Sequence, residues 1–254
     1  TGFSPVLDLT QLDGSNGFRL DGQSVINASG HTVSNAGDVN GDGFGDLIIG
    51  APDPFSYLPE DNARLSGDAY VVFGKASGFS ATLQLSSLTG VDGFRVDGIR
   101  ADHLGASVSS AGDINGDGFG DVIISADGYY GDNSYVVFGK ADGFNASVDV
   151  LSLDGSNGFQ LRGTQQPVDE AGDVNGDGFG DLIAGNHIVF GKNSAFDAIV
   201  DVATLDGING FNFTLPTTFF VISGAGDVNG DGFDDLILGE RFQEVDIASQ
   251  AGVS

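Results

Sequence analysis

The sequence reads Asp38-Val-Asn-Gly-Asp-Gly-Phe-Gly-Asp46 near its start, and nearly the same nine residues return three more times. The later copies begin at Asp113, Asp173 and Asp227. A phrase that returns at intervals of several tens of residues is typical of a repeat protein. The chain is therefore expected to consist of copies of one small structural unit.

Short apolar segments surround each copy in the same order. In the first unit a Gly-Phe segment at Phe18 comes first, a segment around Val33 precedes the acidic phrase, Leu47–Ala51 follows it, and Tyr70–Gly74 closes the unit. Runs this short and this rich in β-branched residues indicate strands rather than helices. The closing strand is missing from the fourth unit, and the alternating stretches that start at Thr82 and Ser147 receive no role from the pattern.

Four short strands per unit predict an all-β fold, and several small antiparallel sheets arranged radially make a β-propeller, which protects the edges of its strands by repetition. A solenoid needs shorter and more regular units, and no segment keeps the apolar period of a helix. We predict a single propeller region over residues 1–254, built of four-stranded antiparallel blades. The visible repeats span approximately residues 1–74, 75–139, 140–191 and 192–254.

Each acidic phrase presents oxygen ligands at its first, third, fifth and ninth positions, with glycine at the sixth. This pattern allows a tight turn to point its oxygens at one centre, which is the chemistry of a calcium site. The seventh residue would add its backbone carbonyl. The predicted ligands are Asp38, Asn40, Asp42, Phe44 and Asp46; Asp113, Asn115, Asp117, Phe119 and Asp121; Asp173, Asn175, Asp177, Phe179 and Asp181; and Asp227, Asn229, Asp231, Phe233 and Asp235.

Other interpretations of the acidic phrase are weaker. An EF-hand needs a bidentate Glu at its twelfth position, where this chain has Ile49 in the first copy and other apolar residues in the rest. Magnesium prefers a stricter octahedron and retains its waters. A single copy could be a solvated turn, but four copies that each precede an apolar strand favour about four Ca²⁺ ions, one per repeat.

The composition excludes several classes of partner. Thirty-six acidic residues against nine basic ones give a formal net charge of -27, which repels nucleic-acid phosphates and anionic membrane surfaces. No apolar run is long enough to span a membrane as a helix, so neither nucleic-acid binding nor membrane insertion is expected. The chain has no cysteine, and any metal site must therefore use oxygen or imidazole ligands.

Taken together, these residues resemble the FG-GAP repeats that build the β-propeller of integrin α chains and of many secreted bacterial proteins. Phe73-Gly74 and Gly50-Ala51-Pro52 match the name of the repeat in the first unit. The later units lack the proline, and the third has Gln165-Gln-Pro-Val-Asp-Glu170 before its acidic phrase. The resemblance implies a secreted or cell-surface location and a ring of about seven blades, so the four visible repeats are expected to belong to a larger ring. A ring closed by four blades, with the segment after Arg241 as a substitute strand, is the alternative.

The least repetitive loops are expected to bind a partner, because variable loops on a rigid scaffold often carry function. They leave the sheets at the end opposite the acidic phrases, and their candidate contact residues are Phe55, Tyr57, Arg64, Tyr129 and Tyr130. The preferred hypothesis is an extracellular calcium-binding propeller that acts as a binding or adhesion module for a protein or glycan, and that is not an enzyme. The alternatives are a structural unit of a surface layer, sheath or filament that contacts copies of itself, and a non-catalytic propeller attached to a secreted hydrolase.

Overall fold

The computed structural model describes residues 5–23, 28–52, 66–99, 102–128, 132–164, 166–214 and 220–240. Strands and single 3₁₀ turns make up the regular structure of this part of the chain. The 3₁₀ turns lie at Leu9–Gln11, Leu85–Ser87, Val150–Ser152 and Val202–Thr204. The strands are β1 (Arg19–Asp21), β2 (Thr32–Gly37), β3 (Asp46–Ala51), β4 (Asp68–Val72), β5 (Thr82–Gln84), β6 (Gly93–Asp97), β7 (Leu104–Gly112), β8 (Asp121–Ala126), β9 (Asn133–Val137), β10 (Ser147–Asp149), β11 (Gly158–Arg162), β12 (Val168–Gly172), β13 (Asp181–Ala184), β14 (His187–Val189), β15 (Ile199–Asp201), β16 (Gly210–Asn212), β17 (Phe220–Gly226) and β18 (Asp235–Glu240).

These strands form a succession of small antiparallel sheets, which confirms the predicted all-β propeller architecture. Sheet 1 has the order β2-β3-β4-β6, sheet 2 the order β7-β8-β9-β11, and sheet 3 the order β12-β13-β14-β16. Sheet 4 consists of β17 and β18 among the described residues. The innermost strands follow one another in space, since β7 contacts both β2 and β12, and β12 also contacts β17.

Each complete sheet takes its outer strand from the next sequence repeat. The strand of Phe94, for example, opens the second repeat in the sequence but pairs with β4 of sheet 1, with Phe94 opposite Val71. This offset ties neighbouring repeats together by main-chain hydrogen bonds. The sequence pattern places the Gly-Phe strand correctly in chain order but cannot say which sheet it joins.

A fifth, parallel strand extends sheets 1 and 2, and β1 and β5 form a third parallel pair, none of which the sequence predicted. β10 pairs with β6, β15 pairs with β11, and β5 pairs with β1. The alternating stretches that start at Thr82 and Ser147 therefore have a role, because each reaches back to an earlier Gly-Phe strand. An antiparallel neighbour could be supplied by a tight turn, whereas a parallel one requires a long crossover.

The cores lie between the sheets, and the second strands of sheets 2 and 3, β8 and β13, are buried on both faces. In β8, Val122 and Ile124 pack into the cluster shared by sheets 1 and 2, while Ile123 packs into the cluster shared by sheets 2 and 3. Aromatic pairs fasten the fifth strands, because Phe94 stacks on Phe144 at 4.2 Å and Phe159 on Phe196 at 4.4 Å between ring centroids.

Within the described ranges, β1 is paired with β5 alone, and no ladder joins it to β17 or β18. The closed four-bladed ring, which was the alternative to a larger ring, is therefore not formed through these strands. Its substitute strand after Arg241 lies outside the described residues. In the described part of the chain, no helix has the length and apolar character needed to cross a membrane.

Candidate cation-binding loops

The acidic phrases form four equivalent loops that each join the first strand of a sheet to the second. Loop 1 (residues 38–45) connects β2 to β3, loop 2 (residues 113–120) connects β7 to β8, loop 3 (residues 173–180) connects β12 to β13, and loop 4 (residues 227–234) connects β17 to β18. Each hairpin has a β-bulge just before its loop, as between Asn35 and Gly37 in sheet 1. Because the loops share one position in successive sheets, they lie at the same end of every blade.

The side-chain oxygens of loop 1 are directed towards the loop's own backbone. The two carboxylate oxygens of Asp38 accept hydrogen bonds from the N–H groups of Asp42 at 3.0 Å and Gly43 at 2.8 Å. Asn40 Oδ1 accepts from the N–H of Asp42 at 3.0 Å, and Asp42 Oδ1 accepts from the N–H of Phe44 at 2.9 Å. The side-chain oxygens of the first, third and fifth residues thus hold the loop backbone in a tight turn.

The other three loops repeat these bonds. The first-position carboxylates of Asp113, Asp173 and Asp227 accept from the N–H groups of the fifth and sixth residues of their own loops at 2.8 to 3.1 Å. In loops 3 and 4 the same carboxylate also accepts from the fourth-position glycine at 2.7 Å. A shared geometry in four independent copies shows that the nine-residue phrase determines this conformation.

The ninth-position aspartate anchors the loop from beneath. Asp46 is fully buried, and its carboxylate accepts from the N–H of Val39 and from the N–H of Gly74, both at 2.8 Å. Gly74 lies two residues after the end of β4, so this bond connects the loop to the strand that pairs with β3. Asp121 and Asp181 make the corresponding bonds to Gly139 and Gly191. From the sequence we expected only a ligand role for the ninth-position aspartate. The Phe-Gly pair that recurs after the third strand is the one sequence signal of its second role, because the glycine of this pair donates the hydrogen bond.

Burial and crowding raise the pKa of these anchoring carboxyls. Desolvation is the largest cause for Asp46, whose pKa rises to about 6, and the nearby carboxylates of Asp42 and Asp38 add to it while backbone N–H donors oppose it. The same causes raise the pKa of Asp121 to about 8 and that of Asp181 to about 6. Each of these three loops therefore contains negative charges that repel one another.

The donor set fits a hard cation, because every side chain directed into a loop offers oxygen. An ionised carboxylate has about four lone-pair sites, so the N–H bonds leave acceptor capacity for a metal. Within the described ranges, no three Asp, Glu or His side chains converge closely enough to enclose an ion. In this conformation the side-chain oxygens of each loop accept hydrogen bonds from the loop backbone, and among the described residues they do not surround a common point closely enough to coordinate an ion.

The predicted partner-binding residues cannot be placed. Phe55, Tyr57, Arg64, Tyr129 and Tyr130 all lie outside the described residues. The strands β3 and β8 run from the acidic loop at one end of the sheet to Ala51 and Ala126 at the opposite end. Their role stays a prediction.

A buried polar cluster that the sequence did not suggest lies at this opposite end. Asp102 is completely buried, its Oδ2 accepts a hydrogen bond from the Tyr135 hydroxyl at 3.0 Å, and its Oδ1 has no hydrogen-bond partner in the described part of the chain. Burial raises the pKa of Asp102 to about 6 and also raises the pKa of Tyr135. His103 Nδ1 lies 3.4 Å from Asp127 Oδ1 beside this pair.

Comparison with known proteins agrees with the sheets and loops. The FG-GAP repeat family model matches residues 29–71, 104–138 and 219–243, which include acidic loops 1, 2 and 4. Loop 3 lies outside the matches, in the repeat whose preceding segment departs from the pattern. The repeat, the sheet order and the loop position together identify the chain as an FG-GAP repeat β-propeller.

Integrin α chains are among its relatives. The chain is 30% identical to integrin alpha-4 of Xenopus laevis over 170 residues, which cover 66% of this chain and 15% of that protein. It is 29% identical to integrin alpha-V of Gallus gallus over 194 residues, which cover 71% of this chain and 16% of that protein. Integrin alpha-5 of Xenopus laevis is 30% identical over 188 residues, covering 72% and 17% respectively. The matched region is therefore a small part of each relative.

Proposed function

We propose that this chain is an extracellular adhesion or binding module whose four acidic loops bind Ca²⁺, about one ion per repeat. The observation that carries the proposal is the fourfold recurrence of one oxygen-lined loop at the same end of successive blades. In each loop the first, third and fifth side chains and the seventh carbonyl would hold the ion, with the ninth-position aspartate completing the set. Calcium would neutralise carboxylates that otherwise repel one another.

The similarity to integrin α chains supports the extracellular and adhesive parts of the proposal. A cell-surface or secreted location also suits weak calcium sites, because millimolar calcium is found outside cells. The partner would be a protein or a glycan that contacts the end of the blades opposite the calcium loops. Phe55, Tyr57, Arg64, Tyr129 and Tyr130 are the proposed contact residues. Binding to an array of glycans and matrix proteins, with calcium and with EGTA, would identify the partner.

The calcium sites are tested by counting bound ions. In equilibrium dialysis with radioactive calcium, we expect about four ions per chain, and Asp42→Ala or Asp117→Ala should each remove one. Each of these aspartates accepts a hydrogen bond from the seventh-position N–H of its own loop, Phe44 or Phe119. Each substitution therefore removes both a ligand and a support for the loop.

Asp142→Ala is the matched control, because it removes the same charge from an exposed position outside the loops. It should leave the number of bound ions unchanged. An unchanged number in Asp42→Ala and Asp117→Ala as well would exclude those two loops as calcium sites.

A further inference from the structure

Successive acidic loops are joined by direct contacts. The eighth-position N–H of each later loop donates a hydrogen bond to the first-position carbonyl of the loop before it. The three bonds run from Gly120 to Asp38 at 2.9 Å, from Gly180 to Asp113 at 3.3 Å, and from Asp234 to Asp173 at 2.9 Å. The first aspartate of each of loops 1 to 3 is thus held by the following loop through its backbone carbonyl.

An aromatic ring makes a second contact across each junction. The seventh-position ring of one loop lies on the fourth-position glycine of the preceding loop, so closely that a Cβ on Gly41 would overlap Phe119, and likewise for Gly116 under Phe179 and Gly176 under Phe233. These three glycines have φ values of 71° to 73°, a region that other residues rarely adopt. Glycine is therefore required here both for its backbone conformation and for the space occupied by the ring.

A third contact strengthens the first two junctions. The N–H of Lys140, which follows Phe138-Gly139 in sheet 2, donates to the carbonyl of Val39 in loop 1 at 2.9 Å. The N–H of Lys192 donates to the carbonyl of Ile114 in loop 2 at 2.8 Å. Loops 1 and 2 are therefore each held at the first, second and fourth positions by elements of the following blade.

We propose that these contacts couple the cation sites, so that Phe119, Phe179 and Phe233 are positioning residues for the site in the preceding loop and the ions bind with positive cooperativity. This inference rests on the proposed calcium function. Phe119 serves two loops at once, because its carbonyl is a predicted ligand in loop 2 while its ring covers Gly41 in loop 1. An ion that orders the backbone of Phe119 in loop 2 therefore also orders the ring that packs on Gly41 of loop 1.

The coupling has a direct physical basis. A loop that must be ordered before it binds an ion loses conformational entropy, and a neighbour that is already ordered reduces that cost. Because coupling between binding sites is reciprocal, an ion in loop 1 must favour binding in loop 2 by the same factor. Apart from its chain neighbours, no described residue has an atom within 4 Å of the place that a Cβ on Gly230, the fourth-position glycine of loop 4, would take. All four loops have this glycine in their sequence, but an aromatic ring packs on it in loops 1, 2 and 3, where the following loop supplies the ring.

The test follows each loop separately by NMR during a calcium titration. The reporters are the amide groups of the sixth-position glycines, which donate to the first-position carboxylate of their own loops at 2.8 to 2.9 Å: Gly43, Gly118, Gly178 and Gly232. In Phe119→Ala the loop 2 carbonyl is retained but the ring is lost. We expect the calcium midpoint of Gly43, in the neighbouring loop, to rise by about fivefold or more, and Phe119→Tyr to restore it.

Asp142→Ala is the control, because Asp142 is exposed and lies outside the four loops. It should leave the midpoint of Gly43 unchanged. Asp117→Ala, which removes a ligand of loop 2 but keeps the ring of Phe119, should also raise the midpoint of Gly43. An unchanged Gly43 midpoint in both Phe119→Ala and Asp117→Ala would overturn the coupling while leaving the calcium sites intact. If the four glycine amides of the parent chain do not respond to calcium, the loops are not calcium sites.

Discussion

At the scale of single residues, Asp102 is an unfavourably placed carboxyl that lies outside the acidic loops. It is fully buried, with one carboxylate oxygen bonded to the Tyr135 hydroxyl and the other without a partner among the described residues. Its pKa rises from 3.8 to about 6, mainly by desolvation, although His103 favours the charged form. Between about pH 4 and pH 6 the folded chain therefore holds a proton at Asp102 that the unfolded chain has released. Its contribution to stability falls as pH rises through this window.

We predict that Asp102→Asn removes this pH dependence. Relative to the parent chain, the variant should gain unfolding free energy from pH 4 to pH 6, by up to about 3 kcal/mol, since one pKa unit corresponds to about 1.4 kcal/mol. Urea denaturation at a series of pH values measures the difference. Asp127→Asn removes the same charge at a half-exposed neighbour and serves as the control. Parallel pH profiles for the parent chain and Asp102→Asn would contradict the prediction.

Residue roles within one loop could be predicted from the sequence, whereas roles between loops could not. The spacing of Asp38, Asn40 and Asp42 fixes their oxygens near one turn, because the contacts are local. The bond from Gly74 to Asp46 and the contact of Phe119 with Gly41 join residues far apart in sequence. Only the arrangement of the sheets brings those pairs together.

At the scale of structural elements, the fifth strand of sheet 1 depends on one aromatic anchor, Phe144. Phe144 stacks on Phe94, lies near Phe73 at 5.8 Å between ring centroids, and has the Lys140 ammonium 4.9 Å from its ring centre. It precedes β10, which pairs with β6. The sequence showed the alternating pattern of this segment but not its partner, since a parallel pairing across a long crossover leaves no local turn signal.

We predict that Phe144→Ala detaches β10 from sheet 1. The loss of a partly buried aromatic side chain should cost about 3 kcal/mol of unfolding free energy. The N–H of Arg95, which donates to the carbonyl of Ala146 at 3.0 Å, should lose protection from hydrogen exchange. Leu151→Ala, at a residue 74% exposed in the following 3₁₀ turn, should change stability by less than about 0.5 kcal/mol. Full protection at Arg95 in Phe144→Ala would show that backbone pairing alone holds the strand.

At the scale of the whole molecule, the distribution of charge matters more than its total. The net charge of -27 opposes the compact state. The four acidic phrases contain three aspartates in each of the first three copies and four in the last, and they place these thirteen carboxylates at one end of the blades. The repeat number and the blade architecture follow from the sequence, because each acidic phrase lies between recognisable strands. The contacts between loops of neighbouring blades do not follow from the sequence. These contacts bring the carboxylates of successive loops close together and so increase the repulsion between them.

The last prediction is that calcium and monovalent salt stabilise the chain by overlapping routes. If each of about four sites is exposed to calcium at ten times its dissociation constant, linkage gives roughly 1.4 kcal/mol per site. For a chain of this size the melting temperature should then rise by more than about 10 °C. Sodium chloride screens the same repulsion less specifically, because the Debye length shortens from about 10 Å at 0.1 M to about 3 Å at 1 M. Calorimetry in EGTA should therefore show a melting temperature that rises clearly with sodium chloride, and in millimolar calcium a smaller rise. Magnesium at the same concentration should reproduce the screening but not the full stabilisation, since it retains its waters. Equal melting temperatures in EGTA and in calcium at low salt would contradict the prediction, because the repulsion between the loop carboxylates would then not be what the ion relieves.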